Sequence, residues 1–233
     1  MSLAQRLVYW STWNAAHAAL TVCYGLRRYG LEHLPRTGPV LIVSNHQSYL
    51  DPPIVCMCSP RRQTNFIAKF GLFEKPLFAK YISTLNSIPI RDDGEADLGA
   101  MREALARLSR GEVVLLFPEG TRSPDGAMQP FLRGATVLVK RAKCPIVPAA
   151  LEGAYDAWPR GSRPLSPWGK RVAVMLGPPI AHDELMKDGP DAALTRLSRQ
   201  IDAMRLELRE KLRKATNGRY PPRGVADGGS FAI

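Results

Sequence analysis

Short apolar runs alternate with helical patterns along most of this 233-residue chain, and this alternation is the strongest constraint on its fold. The clearest strand candidates are almost wholly apolar: Val40–Ser44, Val113–Phe117 and Ile146–Leu151. Strands of this kind are buried on both faces of a sheet, which happens when helices connect parallel strands. We therefore predict an α/β fold with a mostly parallel central sheet flanked by helices.

The other elements fit the same fold. Further strands are predicted at residues 65–69, 87–91 and 172–176. Proline cannot donate a ladder hydrogen bond, so Pro89 places the second of these strands at an edge or a strand end. An aspartate N-cap at Asp51, followed by two prolines, predicts a helix start there. Longer helices are predicted at residues 75–85, 95–110, 133–143 and 192–214.

The N-terminal segment differs from the rest in composition. Residues 7–26 carry no charge, and their tyrosines and tryptophans favour a membrane interface. Polar residues such as Asn14 and His17 disfavour a full span. We expect residues 1–30 to form a membrane-associating helical segment that lies in, or partly dips into, one leaflet. A full span and a helix buried against the domain are the alternatives.

The remaining chain divides into a main domain at residues 31–214 and a tail at residues 215–233. The tail is rich in glycine and proline, which predicts disorder. The cysteines are Cys23, Cys56, Cys58 and Cys144, without a Cys-x-x-Cys pair. This spacing indicates no zinc site and a reduced, cytoplasmic chain.

The charge balance predicts an anionic partner. Lysine and arginine number 32 against 21 aspartates and glutamates, giving a formal net charge of +11. An acidic membrane surface, a phosphorylated substrate or nucleic acid would suit this charge, and improved solubility alone is the simpler alternative. Nucleic-acid binding uses basic and aromatic residues together. Here the aromatic residues cluster in the uncharged N-terminal segment, so no nucleic-acid partner is expected.

A histidine and an aspartate follow the first strand candidate, in the segment 45–52 (NHQSYLDP). His46 and Asp51 are five positions apart, which is roughly 500° on a helix, so they can meet only if the chain turns between them. An aspartate bonded to one imidazole nitrogen fixes the tautomer and leaves the other nitrogen as a base. Alternatively, Asp51 only caps its helix and His46 is an ordinary loop residue.

A second polar block, residues 117–123 (FPEGTRS), follows another strand candidate. Arg122 can hold a phosphate through two parallel hydrogen bonds, and Gly120 lets the backbone approach an anion. Glu119 would repel phosphate, so we expect it to orient Arg122 or a substrate hydroxyl. A turn with a surface salt bridge is the alternative. Arg91, after the strand at 87–91, is a second candidate phosphate contact.

These blocks resemble the 1-acylglycerol-3-phosphate acyltransferase (PlsC-like) family. The resemblance rests on the His46–Asp51 spacing followed by residues 117–123, together with the weaker blocks 88–91 (IPIR), 131–135 (FLRGA) and 145–148 (PIVP). The blocks occur in the family's order and cover about residues 34–151. Family membership implies that residues 31–214 are an acyltransferase domain.

The resemblance also implies a function and a site. A fatty acyl group would pass from acyl-CoA or acyl-carrier protein to lysophosphatidate, without metal or other cofactor, at the cytoplasmic face of the cell membrane. His46 would be the base and Asp51 its orienting partner. Arg91 and the run Glu119, Gly120, Thr121 and Arg122 would bind the acceptor and its phosphate. Anionic membrane lipids would be further partners.

Two other functions are compatible with the sequence. The acceptor could be another lysophospholipid or a lyso-ornithine lipid, with the same chemistry. Alternatively, the protein could bind anionic lipids without catalysis, through its basic surface and N-terminal segment alone. The intact set of His46, Asp51, Glu119 and Arg122 disfavours this last function.

Overall fold

A computed structural model describes residues 3–90, 98–161 and 168–229. The α-helices within these ranges are Leu3–Tyr24 (α1), Asp51–Cys56 (α2), Pro76–Thr84 (α3), Leu98–Ser109 (α4), Arg133–Arg141 (α5), Ala154–Ala157 (α6), His182–Met186 (α7) and Pro190–Ala215 (α8). The strands are Arg27–Tyr29 (β1), Val40–Ser44 (β2), Thr64–Lys69 (β3), Ser87–Ile90 (β4), Val113–Leu116 (β5), Ile146–Glu152 (β6) and Ala173–Leu176 (β7).

Within the described ranges, the strands form one sheet in the order β1-β7-β6-β2-β5-β3-β4. All neighbouring pairs are parallel except β6 and β7, which are antiparallel. The predicted mostly parallel α/β sheet is therefore confirmed, as is the edge position of the proline-containing strand β4. The predicted domain boundary at residue 30 needs correction, because β1 begins at Arg27 and is itself the other edge strand. Its three residues were too few and too polar to be recognised.

Each buried strand contributes side chains to two cores. Leu41 and Val43 of β2 face a core with helices α4, α5 and α8, whereas Val40 and Ile42 face a second core with α1 and α2. This alternation follows from the two-residue period of a strand. Because both faces are covered, β2 is completely buried and its polar successors emerge only at its carboxyl end.

Helix α1 packs against the second core through one face. Its Trp13 indole donates a hydrogen bond to the carbonyl of Cys56 (3.0 Å), and the Thr64 N–H donates to the Tyr9 hydroxyl oxygen (3.0 Å). The opposite face exposes apolar side chains, including Leu3 and Leu7. No helix in the described ranges is both long enough and apolar enough to cross a membrane.

The expected disorder of the tail is corrected for residues 216–229. Tyr220 is buried, and its hydroxyl donates to the carbonyl of Gly153 (2.6 Å). Asp227 forms ion pairs with Arg209 (2.7 Å) and Arg213 (2.5 Å) of α8. Composition alone predicted disorder because these partners lie elsewhere in the chain and cannot be inferred from the tail's own residues. Residues 230–233 lie outside the described part.

The topology brings the two polar blocks together. Strand β2 lies between β5 and β6 and is parallel to both, so the carboxyl ends of these three strands share one edge of the sheet. Sites in open α/β sheets form beyond this edge. The loops that follow β2 and β5 carry His46 and Arg122, respectively.

Candidate active site

The loop after β2 turns so that His46 and Asp51 meet. His46 Nδ1 lies 2.7 Å from Asp51 Oδ2, and Asp51 is fully buried. A carboxylate only accepts hydrogen bonds, so Nδ1 carries the proton in this pair and Nε2 is the basic nitrogen. The predicted pairing of the two residues is therefore present. It results from a turn before helix α2, since the residues could not meet on one helix.

Asp51 holds this loop and is not the N-cap of its helix. The cap position is Leu50, and Asp51 is the first helical residue. Its Oδ2 accepts hydrogen bonds from the backbone N–H groups of Gln47 (2.5 Å) and Ser48 (2.7 Å), in addition to His46. Asp51 thus folds back over the preceding loop, and the alternative in which it only caps a helix does not describe its geometry.

Glu119 ties the two loops together. Its Oε1 accepts the backbone N–H of His46 (2.7 Å), and its Oε2 accepts the backbone N–H of Gln129 (2.9 Å). The Ser123 N–H also donates to the carbonyl of His46 (2.8 Å). Both carboxylate oxygens therefore hold backbone groups, a role different from the expected orientation of Arg122 or a substrate hydroxyl.

The environment of Glu119 shifts its acidity. Burial raises the pKa of Glu119 to about 8, and the nearby charge of Asp51 adds to this shift. The backbone N–H groups of Gln129 and His46 oppose it, because they stabilise the ionised form. Glu119 is 2 % exposed, so solvent does little to relieve the cost of its charge.

Arg122 stacks on an aromatic ring and can still donate a hydrogen bond to a ligand. Its guanidinium carbon lies 3.4 Å from the centroid of the Tyr49 ring, a cation–π contact. The buried Nη1 atom of Arg122 has no hydrogen-bond partner within the described residues. Buried donors are normally paired, so this atom indicates a place for an acceptor such as a phosphate oxygen.

The residues before Arg122 shape this loop. Gly120 has φ of 66°, a left-handed backbone conformation that favours glycine, and a Cβ there would lie 2.3 Å from the end of the Leu132 side chain. The hydroxyl of Thr121 accepts a hydrogen bond from Arg160 (3.1 Å). The predicted Arg91 lies outside the described residues, so its position relative to this site stays a prediction.

Three residues at the site were not singled out from the sequence. Phe117 stacks on the His46 ring, with centroids 4.2 Å apart and planes at 19°. Asn45 exchanges two hydrogen bonds with the backbone of Leu151, and the Gln47 amide donates to the carbonyl of Gly126 (2.8 Å). All three lie inside the two polar blocks, which is the sign that could have marked them.

Together these contacts fix the His46 imidazole on a loop that is bonded to the one carrying Arg122. The imidazole is fixed by Asp51 on one side and by Phe117 on its face, which leaves Nε2 to accept a proton. The backbone N–H groups of His46, Gln47 and Ser48 are already bonded to carboxylates, so none of them is free as an oxyanion donor. No group of three or more potential metal ligands occurs in the described ranges.

Comparison with known proteins identifies the family of the chain. The family described as Acyltransferase matches residues 25–152. A chloroplastic 1-acyl-sn-glycerol-3-phosphate acyltransferase of Brassica napus is 35% identical over 153 residues, which are 65% of this chain and 44% of that protein. The chain thus spans less than half the length of this plant relative. A 1-acyl-sn-glycerol-3-phosphate acyltransferase of Bacillus subtilis is 25% identical over 199 residues, 85% of this chain and 96% of that protein.

A solved structure shares the fold. The crystal structure of the 1-acyl-sn-glycerophosphate acyltransferase PlsC from Thermotoga maritima superposes with a TM-score of 0.73 at 23% identity, covering 94% of this chain and 83% of that one. The family match includes both loops that build the candidate site, from His46 to Ser123. Because this family match covers more than half of the chain's residues, the chain belongs to the acyltransferase family.

Proposed function

We propose that this protein transfers a fatty acyl group from acyl-CoA or acyl-carrier protein to the free hydroxyl of 1-acylglycerol-3-phosphate, giving phosphatidate. The observation that supports this proposal most is the buried Asp51–His46 pair, 2.7 Å apart, on a loop bonded to the one that carries Arg122. A base for a hydroxyl and a cation for a phosphate are the two groups that this acceptor requires.

The reaction is a direct attack on the thioester. His46 Nε2 removes the proton of the acceptor hydroxyl while its oxygen bonds to the thioester carbonyl carbon. The carbon–sulfur bond then breaks, and the imidazolium can return the proton to the departing thiolate. Asp51 keeps the imidazole in the required tautomer and stabilises the imidazolium. A thioester is already activated, and we propose no cofactor for this step.

Arg122 would bind the acceptor phosphate. Its Nη1 atom, which has no hydrogen-bond partner within the described residues, can donate to a phosphate oxygen while the Tyr49 ring holds the plane of the guanidinium. Gly120 and Thr121 shape the same loop, and Glu119 contributes by fixing its backbone relative to His46. Arg91 would supply a second phosphate contact.

We also propose that α1 and α3 place the protein on the cytoplasmic face of a membrane, where the acceptor resides. The two helices touch, with the Tyr81 hydroxyl donating to Thr12 (3.3 Å). Large apolar side chains are exposed on α1, on α3 and on the turn before α3: Leu3, Leu7, Phe70, Leu72, Leu77 and Phe78. Such a surface suits partial insertion into one leaflet.

A basic cavity beside α1 suits the headgroups of anionic membrane lipids. It has a volume of about 720 Å³, and its walls include Arg6, Trp10 and Arg61. Arg62, in the same wall, donates to the carbonyls of Pro35 and Gly111. Both of these partners are neutral, so neither compensates the positive charge of Arg62. This uncompensated charge favours anionic lipids.

Release of free thiol from acyl-CoA tests this function against two alternatives: acyl transfer to another lysolipid, and binding of anionic lipids without catalysis. Lysophosphatidate, other lysophospholipids and a lyso-ornithine lipid are offered in turn as acceptors. We expect the highest kcat/KM with lysophosphatidate. A preference for a different lysolipid would change the acceptor and keep the chemistry. Binding to anionic vesicles without thiol release from acyl-CoA or acyl-carrier protein would contradict the enzymatic proposal.

A further inference from the structure

A buried ionic cluster connects the C-terminal part of the chain to the candidate site. The cluster comprises Glu152 at the end of β6, Asp202, Arg205 and Arg209 of α8, and Asp227. Glu152 is 1 % exposed and Arg205 is completely buried. Of the five residues, only Glu152 lies within the family match at residues 25–152. The other four residues therefore lie in a part of the chain that the acyltransferase family match does not include.

Glu152 is the centre of the cluster. Its Oε1 lies 2.5 Å from Nη1 of Arg209, and its Oε2 lies 3.4 Å from Nη1 of Arg205. Arg209 Nε is in turn 2.7 Å from Asp227. Burial raises the pKa of Glu152, and the two guanidinium groups oppose this shift. Buried charges of this kind are tolerated only while every partner is in place.

The residues after α8 complete the cluster. We call residues 219–229 the C-terminal segment. Its backbone accepts hydrogen bonds from both buried arginines: Arg209 donates to the Pro222 carbonyl (2.6 Å), and Arg205 donates to the Ala226 carbonyl (2.8 Å). The C-terminal segment thus fixes the two guanidinium groups that hold Glu152.

Gln47 joins Glu152 to the base. The Gln47 side-chain amide donates to Glu152 Oε2 (3.3 Å) and to the Gly126 carbonyl (2.8 Å). Its own backbone N–H donates to Asp51 (2.5 Å), and it follows His46 directly in the chain. Gln47 therefore contacts the ionic cluster, the Arg122 loop and the His46–Asp51 pair at once.

From these contacts we infer that the C-terminal segment positions the proposed base through a relay of side chains. Asp227 aims Arg209, Arg209 holds Glu152, and Glu152 holds the Gln47 amide that fixes the His46 loop. Asp227, Glu152 and Gln47 are positioning residues in this relay, since none of them is placed against substrate. A base must be held to within a fraction of an ångström, so support of this kind affects turnover. The inference rests on the proposed acyl transfer.

A double-mutant cycle with Asp227→Asn and Gln47→Ala tests the relay in the full-length protein. Asp227 is only partly buried, so its substitution should leave the fold intact, which circular dichroism can check. We expect Asp227→Asn to lower kcat about threefold to tenfold while the acceptor KM changes less than about twofold. In the Gln47→Ala background, Asp227→Asn should lower kcat no further, because the relay is already broken.

A surface ion pair supplies the matched control. Glu184 and Arg196 are 2.7 Å apart, the same distance as Asp227 and Arg209, but both are exposed. Glu184→Gln should leave kcat unchanged. Asp227→Glu, which keeps the charge, should restore most of the kcat lost in Asp227→Asn. If Asp227→Asn does not fold, Arg213→Gln replaces it in the cycle, since Arg213 is the second cation on Asp227.

The outcomes separate this inference from the proposed function. Wild-type kcat in a folded Asp227→Asn protein, or independent and additive effects of the two substitutions, would overturn the relay. If the wild-type protein transfers no acyl group to any lysolipid, the proposed function fails instead. In that case the ¹⁵N chemical shifts of the His46 ring still test the relay. They should change in Asp227→Asn if the relay exists, and unchanged shifts would overturn it.

Discussion

The site loops and the ionic cluster treat their charges in opposite ways. Arg122 stacks on an aromatic ring and has one nitrogen without a hydrogen-bond partner in the part of the chain that the structure describes, and Glu119 is held by neutral backbone N–H groups. In the cluster, Arg205 and Arg209 are each paired with carboxylates. The first region therefore keeps a donor available for a ligand, whereas the charges of the second are paired with one another and hold the chain together. Substitutions of Asp51 and Arg122 should therefore act on turnover and on substrate binding, whereas loss of Glu152 should act first on stability.

The largest expected effect is on turnover, in the site loops. Asp51→Asn should lower kcat by roughly 10²–10⁴-fold, the usual contribution of an acid–base group, because an amide can hold the imidazole in the wrong tautomer. The acceptor KM should change little. Steady-state kinetics of thiol release provides the measurement. A kcat within about threefold of the wild-type value, in a folded protein, would show that Asp51 does not act on the base.

The next effect is on stability, in the ionic cluster. Glu152→Gln leaves two buried arginines without their shared carboxylate, which should cost about 3–5 kcal/mol of unfolding free energy. Denaturant unfolding followed by circular dichroism measures this loss. The control Glu184→Gln breaks an exposed pair and should cost at most about 1 kcal/mol. Equal losses in the two variants would remove the distinction between the cluster and an ordinary surface pair.

A smaller effect on binding separates Arg122 from the cluster arginines. Arg122→Ala should weaken use of lysophosphatidate by about tenfold to a hundredfold, the equivalent of about 1.5–3 kcal/mol for a charge-assisted hydrogen bond. Arg122→Lys should restore only part of it, because an ammonium cannot replace the guanidinium fork. Stability should hardly change. A rise confined to the KM of the acyl donor would place Arg122 at the other substrate.

The last effect is a pH dependence of stability at Glu119. Burial raises the pKa of Glu119 from an ordinary 4.5 to about 8, so the folded state holds its proton more tightly than the unfolded chain. This contribution to stability is complete below about pH 4.5 and is lost as the pH rises through about 8. The Tm of the wild-type protein relative to Glu119→Gln should therefore fall between pH 5 and pH 8.5. A constant or rising difference would show that Glu119 is ionised throughout.

Local patterns predicted most of the fold and the positions of the two site loops. The apolar runs at β2, β5 and β6 determined the parallel sheet, and two blocks at strand ends indicated where the site forms. The ordered C-terminal segment could not be predicted in this way. Tyr220 and Asp227 are stabilised by Gly153 and Arg209, which are far from them in sequence. Glu152 was missed for the same reason, since it looks like the polar end of a strand.

Roles within the site were harder to predict than positions. The sequence indicated that Glu119 contributes to the site, but its partners are the backbone N–H groups of His46 and Gln129, which no residue pattern reveals. The stacking of Phe117 on His46 depends on two neighbouring strand ends. Only the sheet order brings these residues together.

The role of His46 as the base is tested most directly by comparing two histidines in one assay. His46 has one ring nitrogen on Asp51, whereas His182 has its two ring nitrogens on Asp183 (3.1 Å) and the Lys140 carbonyl (3.0 Å), so it has none left for substrate. Acyl transfer from acyl-CoA to lysophosphatidate is measured for His46→Ala and His182→Ala, each checked for folding. We predict a kcat about 10²–10⁴-fold lower for His46→Ala and unchanged for His182→Ala. Near-normal turnover by a folded His46→Ala protein would show that His46 is not the base.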